Sequence, residues 1–115
     1  MTDKDFRPLL VELATGVWRL RTKVEAGTQD PDRLLKSLAR QLDSLNDALT
    51  EAGVVVQSHT GERFDAGQSV EVVAYAPSAA VRHETVTETI TPTVYLDGKL
   101  AQLGQIVVAI PEVQP

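Results

Sequence analysis

The stretch Asp30-Pro31-Asp32-Arg33-Leu34-Leu35-Lys36-Ser37-Leu38-Ala39-Arg40-Gln41-Leu42-Asp43-Ser44-Leu45-Asn46-Asp47-Ala48-Leu49-Thr50-Glu51-Ala52-Gly53-Val54-Val55-Val56 contains the change of period that decides the fold. Leu35, Leu38, Leu42, Leu45 and Leu49 recur at alternating steps of three and four, the spacing of a supercoiled helical seam. Asp30 is placed to cap this helix, with Pro31 at its first position, and Gly53 to end it. From Val54 onward the apolar residues follow a period of two, which is that of strands.

Upstream, Phe6, Leu9, Leu10, Leu13, Val17, Leu20 and Val24 form one stripe of an amphipathic helix between Asp5 and Glu25. Pro8 is compatible with it because it falls in the first turn, and Ala26-Gly27-Thr28-Gln29-Asp30 breaks the chain before the second helix. Downstream, Val54-Val55-Val56 and Val70-Glu71-Val72-Val73-Ala74-Tyr75 read as strands separated by the turn-rich segments Thr60-Gly61-Glu62 and Asp65-Ala66-Gly67. From Thr85 to Leu96 the residues alternate without a slip, Thr85, Thr87, Thr89, Thr91, Thr93 and Tyr95 on one face and Val86, Glu88, Ile90, Pro92, Val94 and Leu96 on the other. Pro92 places this run at an edge or splits it, and the threonine face is expected in solvent. Asp97-Gly98 is a type I′ hairpin signal leading into Lys99 to Leu103 and then Gln105-Ile106-Val107-Val108-Ala109-Ile110. Residues after Pro111 are expected to trail off.

The expected fold class is therefore α+β: a helical hairpin over 1–53 followed by a small all-β domain over 54–115. Each helix of a lone hairpin covers one seam and leaves its flank wet. Two copies can bury those flanks in a four-helix bundle, with Leu35, Leu38, Leu42, Leu45 and Leu49 as the dimer interface, while packing of the stripes onto the β domain is the alternative.

Composition narrows the function classes. Of 115 residues, 43% are hydrophobic but only 4% aromatic, so the core must be mainly aliphatic. Sixteen acidic against eleven basic residues give a net charge of −5, which argues against nucleic acid or an anionic membrane as the main partner. The absence of cysteine excludes disulfides, thiolate metal sites and cysteine nucleophiles. No apolar run approaches the roughly 20 residues of a membrane span, and Met1-Thr2-Asp3-Lys4-Asp5 lacks the pattern of a secretory signal, so a cytoplasmic protein is expected.

The catalytic inventory is thin, and an enzyme is not expected. His59 and His83 lie in turn or loop surroundings without a second ligand at metal spacing, so both are read as solvated surface residues. Ser58 beside His59 lacks the third group and oxyanion hole of a triad. Glu62 and Asp65, three residues apart in a turn, are explained by hydrogen bonds to turn amides. The seven glycines are isolated and form no phosphate loop. No metal or cofactor is expected. Trp18, the only tryptophan, falls at the margin of the first stripe, either as a core-edge residue or as an aromatic anchor for another protein. Arg19, Arg21 and Lys23 make a local basic cluster, although alternate residues of a helix do not share one face.

The order of these features resembles the GrpE nucleotide exchange factors that serve DnaK-type chaperones. Phe6-Arg7-Pro8-Leu9-Leu10 and the Leu13 to Val17 spacing resemble the family's first bundle helix and Leu38 to Gly53 its second. Within His59-Thr60-Gly61-Glu62-Arg63-Phe64-Asp65, the span Gly61 to Asp65 resembles the glycine, phenylalanine and aspartate that precede its β domain, and the hairpin closing in Ile106-Val107-Val108 resembles its last. The likeness runs from about Phe6 to Pro111. It departs from the family at Ala66 (proline), Ser69 (histidine), Thr93-Val94 (glycine-tyrosine), and Lys99 and Gln102 (arginines). The likeness begins almost at the bundle, without the family's long stalk helix and acidic tail, so roles that depend on the stalk are not expected.

The resemblance implies a cytoplasmic homodimeric cochaperone in protein folding and the stress response. One of its β domains would wedge open the nucleotide-binding cleft of a DnaK-type ATPase and promote ADP release, with no bond made or broken. Partner contacts implied by position are Trp18 and Arg19 on the first helix, and Phe64, Asp65, Lys99, Gln102 and Val108 in the β domain. Phe64 and Val108 serve equally well as core, the preferred reading for both. Lys99 keeps the charge of an arginine but loses its bidentate fork. The alternative is a dimeric scaffold or adaptor that keeps the fold and has lost exchange, which the residues at Ser69 and Gln102 would permit.

Overall fold

The computed structural model describes residues 4–113. Met1, Thr2 and Asp3, read above for a signal, and Gln114 and Pro115 at the end of the tail lie outside the described residues. The chain is α+β: two helices, α1 (Arg7–Ala26) and α2 (Pro31–Glu51), then six strands, β1 (Val54–Gln57), β2 (Val70–Ser78), β3 (Thr85–Thr91), β4 (Thr93–Leu96), β5 (Lys99–Gln102) and β6 (Gly104–Pro111). It divides into two compact units between Gly53 and Val54.

In the helical unit the ends are set by local chemistry. The Asp5 carboxylate accepts the Arg7 backbone N–H and binds its guanidinium at 3.0 Å. That arginine holds the exposed Asp5 carboxyl below the usual carboxylate range. Gly27 leaves α1 with φ +65°, and its N–H returns to Val24 O. Asp30 then caps α2 by accepting the Arg33 N–H at 3.2 Å, Pro31 follows, and Gly53 with φ +80° ends the helix. Each helix turns one row toward the other: Leu9, Leu13, Gly16 and Leu20 from α1, and Leu34, Leu38, Gln41, Leu45 and Ala48 from α2 are all shielded. Gly16 is buried because Leu45 lies over it; an added methyl group would overlap the leucine side chain.

In the β unit the strands form two three-stranded sheets, ordered β1-β4-β5 and β2-β6-β3. β6 is the central strand of the second, antiparallel to β3 and parallel to β2, with Val70 opposite Gly104 and Ser78 opposite Pro111. Such a centre is shielded on both edges, and β6 supplies most of the core: Ile106 and Val108 pack with Val86, surrounded by Phe64, Val70, Val72 and Ile110. The β4–β5 turn has positive φ at both Asp97 (+50°) and Gly98 (+78°), the type I′ geometry, and pairs Leu96 with Lys99.

The threonine run differs from its expected alternation. β3 carries register shifts at Thr87 and at Ile90, and the chain changes sheets at Pro92. Each bulge adds one residue and reverses the side on which the following side chains emerge. After the first bulge Ile90 is therefore exposed, and beyond the second, where the chain passes into the other sheet at Pro92, Thr93, expected in solvent, is completely buried. β2 has a comparable shift at Val73, which is exposed.

Gly104 faces Thr93 so closely that a Cβ would lie 2.5 Å from its Oγ1 and 3.2 Å from its backbone N. Gly104→Ala should lower the unfolding free energy by about 1–3 kcal/mol in chemical denaturation. Gly98→Ala meets open space and suffers only its left-handed backbone, so its loss should be about 1 kcal/mol.

Candidate partner-binding site

The segment between β1 and β2 is fastened to the start of β3. Gly61 N–H donates to Val86 O (2.8 Å), Val86 N–H to Glu62 O (2.9 Å) and Phe64 N–H to Glu84 O (2.9 Å). These bonds drive the Phe64 ring onto the core and leave the next turn outside, where the Asp65 carboxylate accepts the Gly67 N–H at 2.9 Å. Glu62, by contrast, reaches side chains: its carboxylate accepts from Gln68 Nε2 at 3.3 Å and lies 3.5 Å from His59 Nδ1.

His59 is not the surface residue expected. It is 2% exposed, and its Nε2 lies 2.8 Å from Thr93 Oγ1. The Thr93 hydroxyl donates to Ser69 O at 2.9 Å, which commits its only proton, so His59 must donate from Nε2. Its Nδ1 makes no hydrogen bond. Sequence spacing held no sign of this, because the partners Thr93 and Ser69 are 34 and 10 residues away. His83 is exposed. Ser58 approaches Thr89 Oγ1 at 3.5 Å, which gives it a structural partner. Among the described residues, no three His, Asp or Glu side chains cluster as a metal site.

The residues implied as partner contacts divide into surface and core. On α1, Trp18 is 64% exposed, and Val11, seven residues before it, is also exposed. Arg19 borders a groove between the helices with Glu12, Asp47 and Glu51. In the β unit, Asp65, Lys99 and Gln102 are exposed, and the last two occupy the edge strand β5. The Gln102 amide donates to Pro92 O at 2.9 Å. Val108 has no exposed surface and Phe64 packs on the core cluster, so both serve the interior.

The leucine seam divides as well. Leu38, Leu45 and Leu49 are half-buried within the hairpin, but Leu35 and Leu42 are more than half exposed. They lie on the flank of the seam that α1 lines with Val17 and Val24, and Val17, Leu20, Val24, Leu38 and Leu42 border one continuous apolar groove. Leu10, Val17 and Val24, all exposed, extend that face along α1. Their spacing of seven was present in the first stripe as a separate row.

No protein-family model matches the chain, and no curated protein matches it. Among the described residues, no helix is long and apolar enough to cross a membrane.

His59→Ala should cost about 2–4 kcal/mol, from the cavity and the unpaired Thr93 hydroxyl. The exposed His83→Ala should change stability by less than about 0.5 kcal/mol in the same denaturation experiment.

Proposed function

We propose that the protein is a shortened, divergent GrpE-like nucleotide exchange factor, a cytoplasmic homodimer that binds the nucleotide-binding domain of a DnaK-type ATPase and promotes ADP release. The observation that carries this reading is the display of Trp18, Arg19, Asp65, Lys99 and Gln102 on the surfaces of the two units, at the positions matching the family's contacts. The uncovered row of Leu10, Val17, Val24, Leu35 and Leu42 supports pairing of two hairpins into a four-helix bundle. The factor acts by differential affinity: a β unit that fits the open cleft better than the closed one shifts the ATPase toward the state that releases nucleotide. It supplies no catalytic group and needs no cofactor.

One observation favours a second reading, a dimeric adaptor without exchange activity. The Gln102 amide is bound to Pro92 O, and Ser69 is bound within the domain through both its carbonyl and its hydroxyl, so neither side chain is free to replace a lost contact.

The test is the dissociation rate of a fluorescent ADP analogue from the host DnaK-type ATPase, with and without micromolar dimer. Acceleration is expected; binding without acceleration favours the adaptor, and no binding overturns both readings. Lys99→Glu and Arg19→Glu should each weaken ATPase binding by roughly tenfold, about 1.4 kcal/mol, while the dimer persists. Leu42→Asp should sediment as a monomer, because an unpaired charge would be buried in the bundle.

A further inference from the structure

The hairpin has two unlike flanks beside its seam, and only one is apolar. On the other, α2 presents Arg33, Lys36 and Arg40 at steps of three and four, which align them along one exposed face. α1 adds two cations on that side. Lys23 Nζ donates to Ser37 O at 3.4 Å across the seam, and Arg19 borders the polar groove with Gln41 and Ser44, at the end of the face where that groove continues to the carboxylates of Glu12, Asp47 and Glu51. Arg21, by contrast, borders the apolar groove, so the sequence cluster Arg19, Arg21 and Lys23 is split between the flanks. The basic face is thus built across two helices from residues 10 to 21 apart in sequence. Among the described residues none of its five cations forms an ion pair, Asp43 not reaching Arg40 despite its spacing of three. The chain nevertheless has five more acidic than basic residues.

We propose that this face, Arg19 and Lys23 with Arg33, Lys36 and Arg40, docks an acidic helix of another protein through its carboxylates. Two features of the face select that chemistry. The α2 cations span seven residues, about 10 Å at 1.5 Å per residue, which matches carboxylates at positions 1, 4 or 5, and 8 of a helix laid alongside. Three of the five are arginines, whose planar forks bind carboxylates in pairs. Single-stranded nucleic acid would call for aromatic platforms among the cations, and the hairpin's aromatics are only Phe6 and Trp18, neither in this groove. An anionic membrane would call for a continuous apolar face beside the cations, and the exposed row of Leu10, Val17, Val24, Leu35 and Leu42 lies on the opposite flank. The face remains free when two hairpins pair through their apolar row, and it is present whether or not the chain drives nucleotide exchange.

The experiment uses the full chain and a labelled alanine-based helical peptide carrying glutamate at positions 1, 4, 5 and 8 of each of two repeats. Fluorescence anisotropy should show binding that weakens at least about tenfold as salt rises from 0.05 to 0.5 M, as expected for screened charges. Arg33→Glu, Lys36→Glu and Arg40→Glu combined should reduce affinity at least about tenfold, with unchanged circular dichroism and sedimentation. Arg63→Glu with Arg82→Glu, which alters charge on the β unit, should leave binding unchanged. Absence of peptide binding, equal binding by the triple variant, or equal loss in the β-unit control would overturn the proposal. Tighter binding of a single-stranded oligonucleotide, or of vesicles with one-third phosphatidylserine, than of the peptide at the same salt would overturn it too.

Discussion

The buried hydroxyl of Thr93 is the point on which the β unit turns. Pro92 takes the chain out of the sheet built on β6 and into the sheet built on β4, and its neighbour Thr93 is completely buried at the crossing. Thr93 Oγ1 donates to Ser69 O while accepting from His59. The same Ser69 carbonyl also accepts the Gly104 N–H at 3.2 Å, which brings in the start of β6. Four distant segments therefore share one small polar cluster, and the absence of a side chain at Gly104 is the condition for that closeness. A buried network of this kind specifies one arrangement of the sheets because any other would leave its members unpaired.

In the helical unit a different constraint governs. Each helix has one row for its partner in the hairpin and a second beside it, and a two-helix structure can cover only the first. Gly16 lets Leu45 lie over α1, so the seam closes tightly and the second row is left wholly outside. On the opposite flank the same geometry gathers cations from both helices. The hairpin is thus a two-sided element, with an apolar groove on one flank and a charged, polar groove on the other, separated by the seam that holds it together.

Much of this organisation was legible in the sequence. The two helices, Asp30 as a cap, Gly53 as a stop and the Asp97-Gly98 turn were readable because each depends on residues within one helical turn or one hairpin. The fate of the threonine run was not. Alternation from Thr85 to Thr93 carries no mark of a bulge, since an extra residue is inserted for reasons of sheet curvature and pairing with β6, far away in sequence. His59 was misread for the same reason: its burial comes from Thr93, which itself is buried only because the run is bulged and then broken at Pro92. Among the leucines, period identified the helix but could not divide its apolar residues between a covered and an uncovered row, which takes the actual packing of α1 on α2.

The candidate surface follows that division between local and distant causes. Asp65 and Lys99 sit in tight turns or beside one, where local sequence sets exposure, and both stand outside. Val108 lies on a strand whose neighbours on either side arrive from elsewhere, and it is interior. For the exchange function proposed above, this would be the favourable arrangement. The rigid centre is made by long-range pairing around β6, whereas Asp65 and Lys99 lie at the surface, away from the cluster at Thr93. In the proposed exchange factor, a Lys at position 99 would offer a partner a point charge where an arginine offers a planar fork, at little cost to the fold beneath it.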